Sequence, residues 1–373
     1  MIPVFYRAPV VDGTGYSETA RNLLLGLLDT GKFDIQLANF DSSLTKADIL
    51  PEDYEKLVKA SQNTVDMEKA VSVQSILAVE WRKFCRKNIG YGVFETDRIP
   101  KAWVPFCNDM DAILSPSEFN KGVFTIRENM TTPVHVIQNG ITNSFNTDVE
   151  PLPEFSDKFN IVSVGLLQNR KGFDVVINAF LYTFKNEENA RLILKIYTDT
   201  EHEIRQLKKA VSEIRKHHDS YLPEVVIIGS FLNNATMARL FKSADLFVSA
   251  TRGEAWGHAI PQAAACGVPV AITGWSAPAE ILPSDVAYHI DYDLISLPPG
   301  SVRHPSFELA DLDGDHQWAN PNPQSLADIM NHAFSNRESN KEMGIKAYNH
   351  VKDWTWKKAS LDLARVIEDV HNS

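Results

Sequence analysis

Short apolar runs alternate with helix-spaced segments along the first part of the chain. Ile2 to Tyr6 predicts a strand, Ser17 to Leu28 a helix and Phe33 to Ala38 a second strand. Apolar runs at Ser75 to Val79, Tyr91 to Phe94, Ala112 to Ser115 and Val134 to Ile137 continue the series. Such alternation implies a largely parallel sheet covered by helices. At Asn146 to Phe159 the pattern lapses into an acidic stretch holding Pro151 and Pro153, which reads as a linker. A second alternation follows, with strands at Ile161 to Val164, Leu192 to Tyr197, Val225 to Ile228 and Asp245 to Ala250. Helices at Phe173 to Phe184, Glu201 to His217 and Ala235 to Ser243 separate them. Leu294 to Asn322 reads as loop, and helical spacing returns from Ser325 and again from Trp356 to the end. The fold class is therefore α/β, with doubly wound domains over 1–150 and 151–355 and a final helix over 356–373. Ligands of such sheets bind at the carboxyl ends of the strands, here expected in a cleft between the domains.

Composition narrows the partners. An apolar content of 44% over 373 residues can supply two cores, and a net charge of -11 argues against nucleic acid as a partner. Cys85, Cys107 and Cys266 are far apart, with no C-x-x-C pairing, so neither a disulfide framework nor a zinc site is expected. The N-terminal stretch MIPVFYRAPV has neither the basic nor the apolar part of a secretion signal, and no run is long enough to span a membrane. A cytoplasmic location is the expectation. In the segment beginning at Glu201, Ile204, Leu207, Val211 and Ile214 form an apolar stripe, with Lys208, Lys209, Arg215 and Lys216 elsewhere. Peripheral membrane contact is one reading of that helix, and an ordinary core-facing helix is the other.

Chemistry is concentrated in three turns. RGEAWGHAIPQAAACGVPV, from Arg252 to Val270, reads as a loop after a strand followed by a helix from about Ile260 that Cys266 and Gly267 end. Gly257 lets backbone approach a ligand, and the helix N-terminus faces the same spot, which suits an anion. In VGLLQNRKGFD, Arg170 and Lys171 follow a strand and precede a helix, a placement in which a basic pair can neutralise a phosphate. Gly13, Thr14 and Gly15 lie between the first strand and first helix. The third glycine of a dinucleotide fingerprint would fall on Glu18, so NAD binding is not indicated. Asp109-Met110-Asp111 and Asp311-Leu312-Asp313 match a three-letter metal motif, but neither ends a strand, and DLDGDH places His316 where a calcium loop needs glycine. No metal or other cofactor is expected.

VGLLQNRKGFDVVINAF, VVIIGSF, ADLFVSATRGEAWGHAIPQAAACGVPVAITGWSAPAEIL, FETDRIPKAWV and DAILSPSEFNKGVF together resemble a glycosyltransferase of the GT-B fold, close to the retaining family four. The resemblance implies two Rossmann-like domains facing a central cleft, the first on the acceptor side and the second on the donor side. It also implies a terminal helix that crosses back to the first domain. Lys171 and Arg170 would contact the donor diphosphate, and Gly13, Thr14 and Gly15 would face the same phosphates. Gly257, His258, Ala259 and Ile260 would lie at the sugar and diphosphate, Glu254 would bond sugar hydroxyls, and Ser230 and Phe231 would line the base pocket.

Three departures stand out. Gln262 replaces the second glutamate of the E-x7-E motif, which holds the ribose, so donor binding is expected to be modestly weaker. Leu166 stands where the family often has an arginine. Glu95 and Asp97 occupy the first-domain loop that often carries a histidine, and they become acceptor-side candidates. The implied function is transfer of a hexose or deoxyhexose, with a GDP-sugar such as GDP-mannose favoured, to the hydroxyl of a glycan or other acceptor, with retention and without metal. The alternatives are a nucleotide-sugar-binding scaffold that has lost turnover, suggested by Gln262 and Leu166, and a sugar-nucleotide epimerase or phosphorylase on the same architecture.

Overall fold

A computed structural model describes residues 1–39, 47–198, 200–216, 221–298 and 316–373. Asp311 to Asp313, and most of the segment read as loop, lie outside them. The chain divides into two compact units. One comprises Met1–Gly140, Ser296–Gln317 and Trp354–Ser373, the other Ile141–Ile295 and Trp318–Asp353.

The first unit holds β1 (Ile2–Ala8), α1 (Gly15–Asp29), β2 (Phe33–Asn39), α2 (Pro51–Gln62), β3 (Val71–Ser75) and β4 (Lys87–Tyr91). It continues with α3 (Val104–Asn108), β5 (Ala112–Ser115), α4 (Glu118–Thr125) and β6 (Val134–Val136). Its six-stranded sheet has the order β2-β1-β3-β4-β5-β6, and its adjacent strands pair in parallel. Three segments differ from the pattern reading, each for its own reason. β3 precedes the expected Ser75 to Val79 run because its polar residues are satisfied internally. Ser72 Oγ donates to Asn88 Oδ1 at 2.8 Å and Gln74 Nε2 to the Arg82 carbonyl at 2.7 Å. Ile76 and Ala78 instead enter a separate apolar cluster with Trp81, Trp103 and Phe124. β4 stops at Tyr91, short of Phe94, whose N–H and C=O are both taken by the Asn120 amide at 2.8 and 2.9 Å. α2 shows little apolar signal because only Leu57 and Ala60 of it are buried.

The second unit holds β7 (Phe159–Leu166), α5 (Phe173–Thr183), β8 (Ala190–Tyr197), α6 (Glu201–Lys216), β9 (Glu224–Ile228) and α7 (Asn234–Lys242). β10 (Leu246–Ser249), α8 (Ala259–Ala265), β11 (Val270–Thr273), α9 (Ser276–Ile281) and β12 (Tyr288–Ile290) follow. The sheet order is β12-β11-β10-β7-β8-β9, with parallel neighbours. The order reverses between β7 and β10, the topological switch point at which open α/β sheets bind ligands. β13 (Tyr292–Ser296) and β14 (Gln317–Pro321) pair within the segment read as loop, and α10 (Pro323–Ser335) and α11 (Arg337–Val351) follow. The acidic stretch read as a linker is tied into this unit. Leu152 N–H donates to Ser243 Oγ at 2.8 Å, and Arg191 pairs with Asp157 at 2.9 Å. The division between units thus falls at Gly140, where the sequence reading sets it after residue 150. On α6, Val211 is buried and Ile204 and Leu207 pack against the core of this unit, so those stripe positions are core-facing. No described helix is long and apolar enough to cross a membrane.

α12 (Trp356–Asn372) belongs to the first unit. Thr355 caps it, its side chain accepting from the Lys358 N–H at 3.2 Å. Ala359, Leu363, Ala364, Ile367 and Val370 bury themselves in the same core as Leu23, Leu24 and Leu27 of α1. The two helices approach closely at Gly26, where any side chain would collide with Ser360. Burial pushes the thiols of Cys107 and Cys266 up to about 12 and that of Cys85 up to about 11, so all three stay protonated at neutral pH.

Candidate functional site

The second unit gathers its candidate residues at the carboxyl ends of β7 and β10. β7 runs out into a tight 3-10 turn, Asn169–Lys171, that ends at Gly172 with φ +68°, and this glycine also starts α5. The turn is pinned to the loop after β10. Arg252 N–H donates to the Arg170 carbonyl at 2.7 Å, Arg170 Nη1 donates to the Gly253 carbonyl at 2.7 Å, and the Arg252 guanidinium holds Asp174 with bonds of 3.1 and 2.7 Å. Arg252 and Asp174 were given no role by the sequence reading, although Arg252 sits two residues before Glu254. Their signal was spatial, since Asp174 lies in the first turn of a different helix.

Glu254 is the centre of the cluster. Its carboxylate, on a residue only 6% exposed, pairs with Lys171 Nζ and, at 3.1 Å, with Arg170 Nη1. Its own N–H donates to Ser276 Oγ at 3.1 Å. Burial alone would raise the carboxyl, but the two cations outweigh it and hold the group below the usual carboxylate range. A carboxyl depressed on folding contributes stability that is present above its unfolded value, near 4.5, and is lost as pH falls through the lower folded value. Glu254→Gln is therefore expected to melt below the wild type at pH 7, with the gap closing as pH drops below that range. A gap unchanged between pH 3 and 7 in thermal melts would show that these ion pairs carry no stability.

Beyond Glu254, Gly257 adopts φ +82°, and an added Cβ would come within 2.9 Å of Ile260 Cδ1, so this turn requires glycine. α8 follows after His258 and is seven residues long, with Ala259 and Ile260 opening it and Gln262 buried inside it. The Ile260 N–H, expected to face a ligand, donates instead to the Gly257 carbonyl at 2.9 Å. Ser230 and Phe231 follow β9, both exposed, Phe231 by 48%. Leu166, at the end of β7, is 39% exposed.

Gly13, Thr14, Gly15, Glu95 and Asp97 lie in the first unit. Thr14 caps α1, accepting from the Ser17 N–H, and is itself held by Asp12 Oδ1, which accepts from the Thr14 N–H at 2.8 Å and its hydroxyl at 2.6 Å. Asp97 is occupied: Oδ1 accepts from the Gln317 N–H at 2.8 Å, and Oδ2 pairs with Arg98 at 2.6 Å. Glu95 is near enough to Tyr16 that its charge adds to burial in raising that phenol. Asp109 pairs with Lys83 at 2.8 Å and Asp111 with Lys87 at 3.3 Å, so the described Asp-x-Asp motif is engaged in ion pairs. Among the described residues no group of three or more His, Cys, Asp or Glu side chains could hold a metal ion.

The chain is similar to known proteins in sequence over part of its second unit and in fold over most of its length. Residues 158–294 match the family model of the glycosyl transferases group 1. Over 118 residues the chain is 27% identical to the mannosylfructose-phosphate synthase of Agrobacterium fabrum, an alignment covering 30% of this chain and 25% of that protein. The match thus spans about a quarter of the curated relative. Among solved structures, a glycosyltransferase from Rickettsia africae superposes with a TM-score of 0.69 at 13% identity over 99% of this chain and 98% of its own. Sucrose-phosphate synthase from Thermosynechococcus elongatus gives 0.67 at 13% identity over 99% of each chain. The Anabaena protein HepE, solved with UDP and glucose, gives 0.66 at 12% identity over 99% of this chain and 100% of its own. The chain therefore carries the GT-B fold, and its second unit matches the glycosyl transferases group 1 over residues 158–294.

Proposed function

We propose that this protein transfers a hexose or deoxyhexose from a nucleoside-diphosphate sugar to an acceptor hydroxyl, with retention and without a metal ion. The observation that carries the reading is the Arg170–Lys171–Glu254 cluster at the switch point of the second sheet. The leaving diphosphate gains negative charge as the sugar bond breaks, and preorganised cations stabilise that charge most where water is excluded. Glu254 keeps both cations in place and presents carboxylate oxygens to sugar hydroxyls, while the Gly257 turn lets backbone approach the donor. Gln262 accepts one ribose hydroxyl bond and donates another. No protein nucleophile is assigned. Glu95 and Asp97 are the acceptor-side candidates, with Asp97 shaping its loop through Gln317 and Arg98.

A GDP-sugar is the first donor to test, on the resemblance of the Arg252 to Val270 stretch, and UDP-sugars are the second, since a relative of the same fold was solved with UDP and glucose. The test is thermal stabilisation by GDP, UDP, their sugar conjugates and NAD, each with EDTA. A ligand at 100 times its Kd stabilises by about 2.7 kcal/mol, enough for a clear shift in Tm. A selective shift with one nucleoside diphosphate is expected, whereas no shift with any of them would remove the donor-site assignment.

A further inference from the structure

Arg21 lies on α1 about two helical turns beyond the cap, Thr14, and is 8% exposed. Thr14, Ser17 and Arg21 recur at the spacing that lines up one face of a helix. From that face the guanidinium reaches back to the segment that precedes the helix. Nη1 donates to the Val10 carbonyl at 2.9 Å and to the Asp12 carbonyl at 3.2 Å, with Ser17 Oγ at 3.5 Å. Asp12, itself buried, is thereby fixed at its backbone, and its side chain passes the constraint on. Its Oδ1 accepts from both the N–H and the hydroxyl of Thr14, and Thr14 Oγ1 accepts from the Ser17 N–H at 3.2 Å.

This chain of bonds decides which donors the helix offers. The Ser17 N–H is spent on the cap and the Glu18 N–H on the Thr14 carbonyl at 2.9 Å. The N–H groups of Gly15 and Tyr16 have no acceptor among the described residues. Both open a 15-residue helix, and Gly13 and Gly15 beside them are exposed. Two N–H groups at a helix start favour an anion. The acidic residues around them do not, since Asp12 precedes the turn and Glu18 lies in the first turn of α1. Burial pulls Arg21 down from its ordinary value, and the charges of Glu18 and Asp12 oppose that pull. A guanidinium stays charged in proteins, so Arg21 offsets the two carboxylates that would repel an anion here.

Resting on the donor-site reading above, we infer that Arg21 is a positioning residue for the donor diphosphate. It does not touch the donor. It fixes the turn from which the Gly15 and Tyr16 N–H groups meet a phosphate, and it offsets Asp12 and Glu18 beside that phosphate.

Isothermal titration of the wild type and of Arg21→Met with GDP, GMP, UDP and UMP tests this. The readout is the advantage of a diphosphate over its own monophosphate, which separates the outer phosphate from base and ribose. In the wild type at least one diphosphate should bind about tenfold tighter or more, and Arg21→Met should cut that advantage at least about fivefold. Arg21→Lys keeps the charge without the planar fork and should fall between the two. A merely structural role would lower Tm and leave the advantage intact, and that result in a folded Arg21→Met protein overturns the inference. Where Arg21→Met does not fold, Arg21→Lys decides, and an advantage equal to wild type overturns the assignment. A wild type that binds diphosphates no better than monophosphates overturns this inference and leaves nucleotide binding in place. One that binds none of the four overturns the donor-site reading itself and this inference with it.

Discussion

Lys171→Ala is expected to lower turnover by about 10²-fold or more, with a much smaller change in acceptor binding. In the proposed function the lysine is one of two cations at the leaving diphosphate, and its partner Glu254 is buried. Removing it weakens the site twice. The departing group loses a point charge, and Glu254 is left with Arg170 at 3.1 Å as its remaining cationic partner. Breaking a fully buried ion pair costs about 3–5 kcal/mol, and the retained arginine should keep the stability loss below that range. Steady-state kinetics separates the effects. A fall in kcat with KM for acceptor nearly constant fits a role at the leaving group, whereas turnover equal to wild type removes Lys171 from the mechanism.

Gly172→Ala should be the most destabilising single-methyl change in the second unit, by about 3 kcal/mol. The residue has φ +68°, a conformation that costs an L side chain energy, and an added Cβ would collide with the carbonyl oxygen of Ala250 at the end of β10. That obstacle is backbone directly after a central strand and cannot swing aside. Since Gly172 closes the turn that presents Arg170 and Lys171, relief of the clash would move both cations. Loss of activity should therefore exceed loss of folded protein. Denaturant melts that place the variant within 0.5 kcal/mol of wild type, a neutral surface change, would contradict the geometry.

The pattern of apolar residues gave most of the second sheet because its strands are nearly continuous apolar runs, as in Ile161 to Val164 and Val225 to Ile228. It gave β3 and β4 poorly. Ser72, Gln74 and Asn88 are polar yet buried, satisfied by one another and by backbone, and a sequence pattern cannot distinguish them from solvated residues. The paired strands β13 and β14 were hidden because each is short and they are far apart in sequence. In the candidate site, Arg170, Lys171 and Glu254 were legible because they lie in short motifs at strand ends. Arg252, Asp174 and Ser276 were not, because their function is to hold that trio and only the folded chain brings them to it.

The packing of α12 against α1 at Gly26 has a bearing on how the chain folds during synthesis. Residues 354–373 complete the apolar core of the first unit, yet they leave the ribosome after every residue of the second. The stretch 141–295 can collapse while the groove beside α1 still lacks its last helix. During that interval Leu23, Leu27 and their neighbours offer an open apolar stripe to the solvent, so the first unit starts to form before the second and is completed after it.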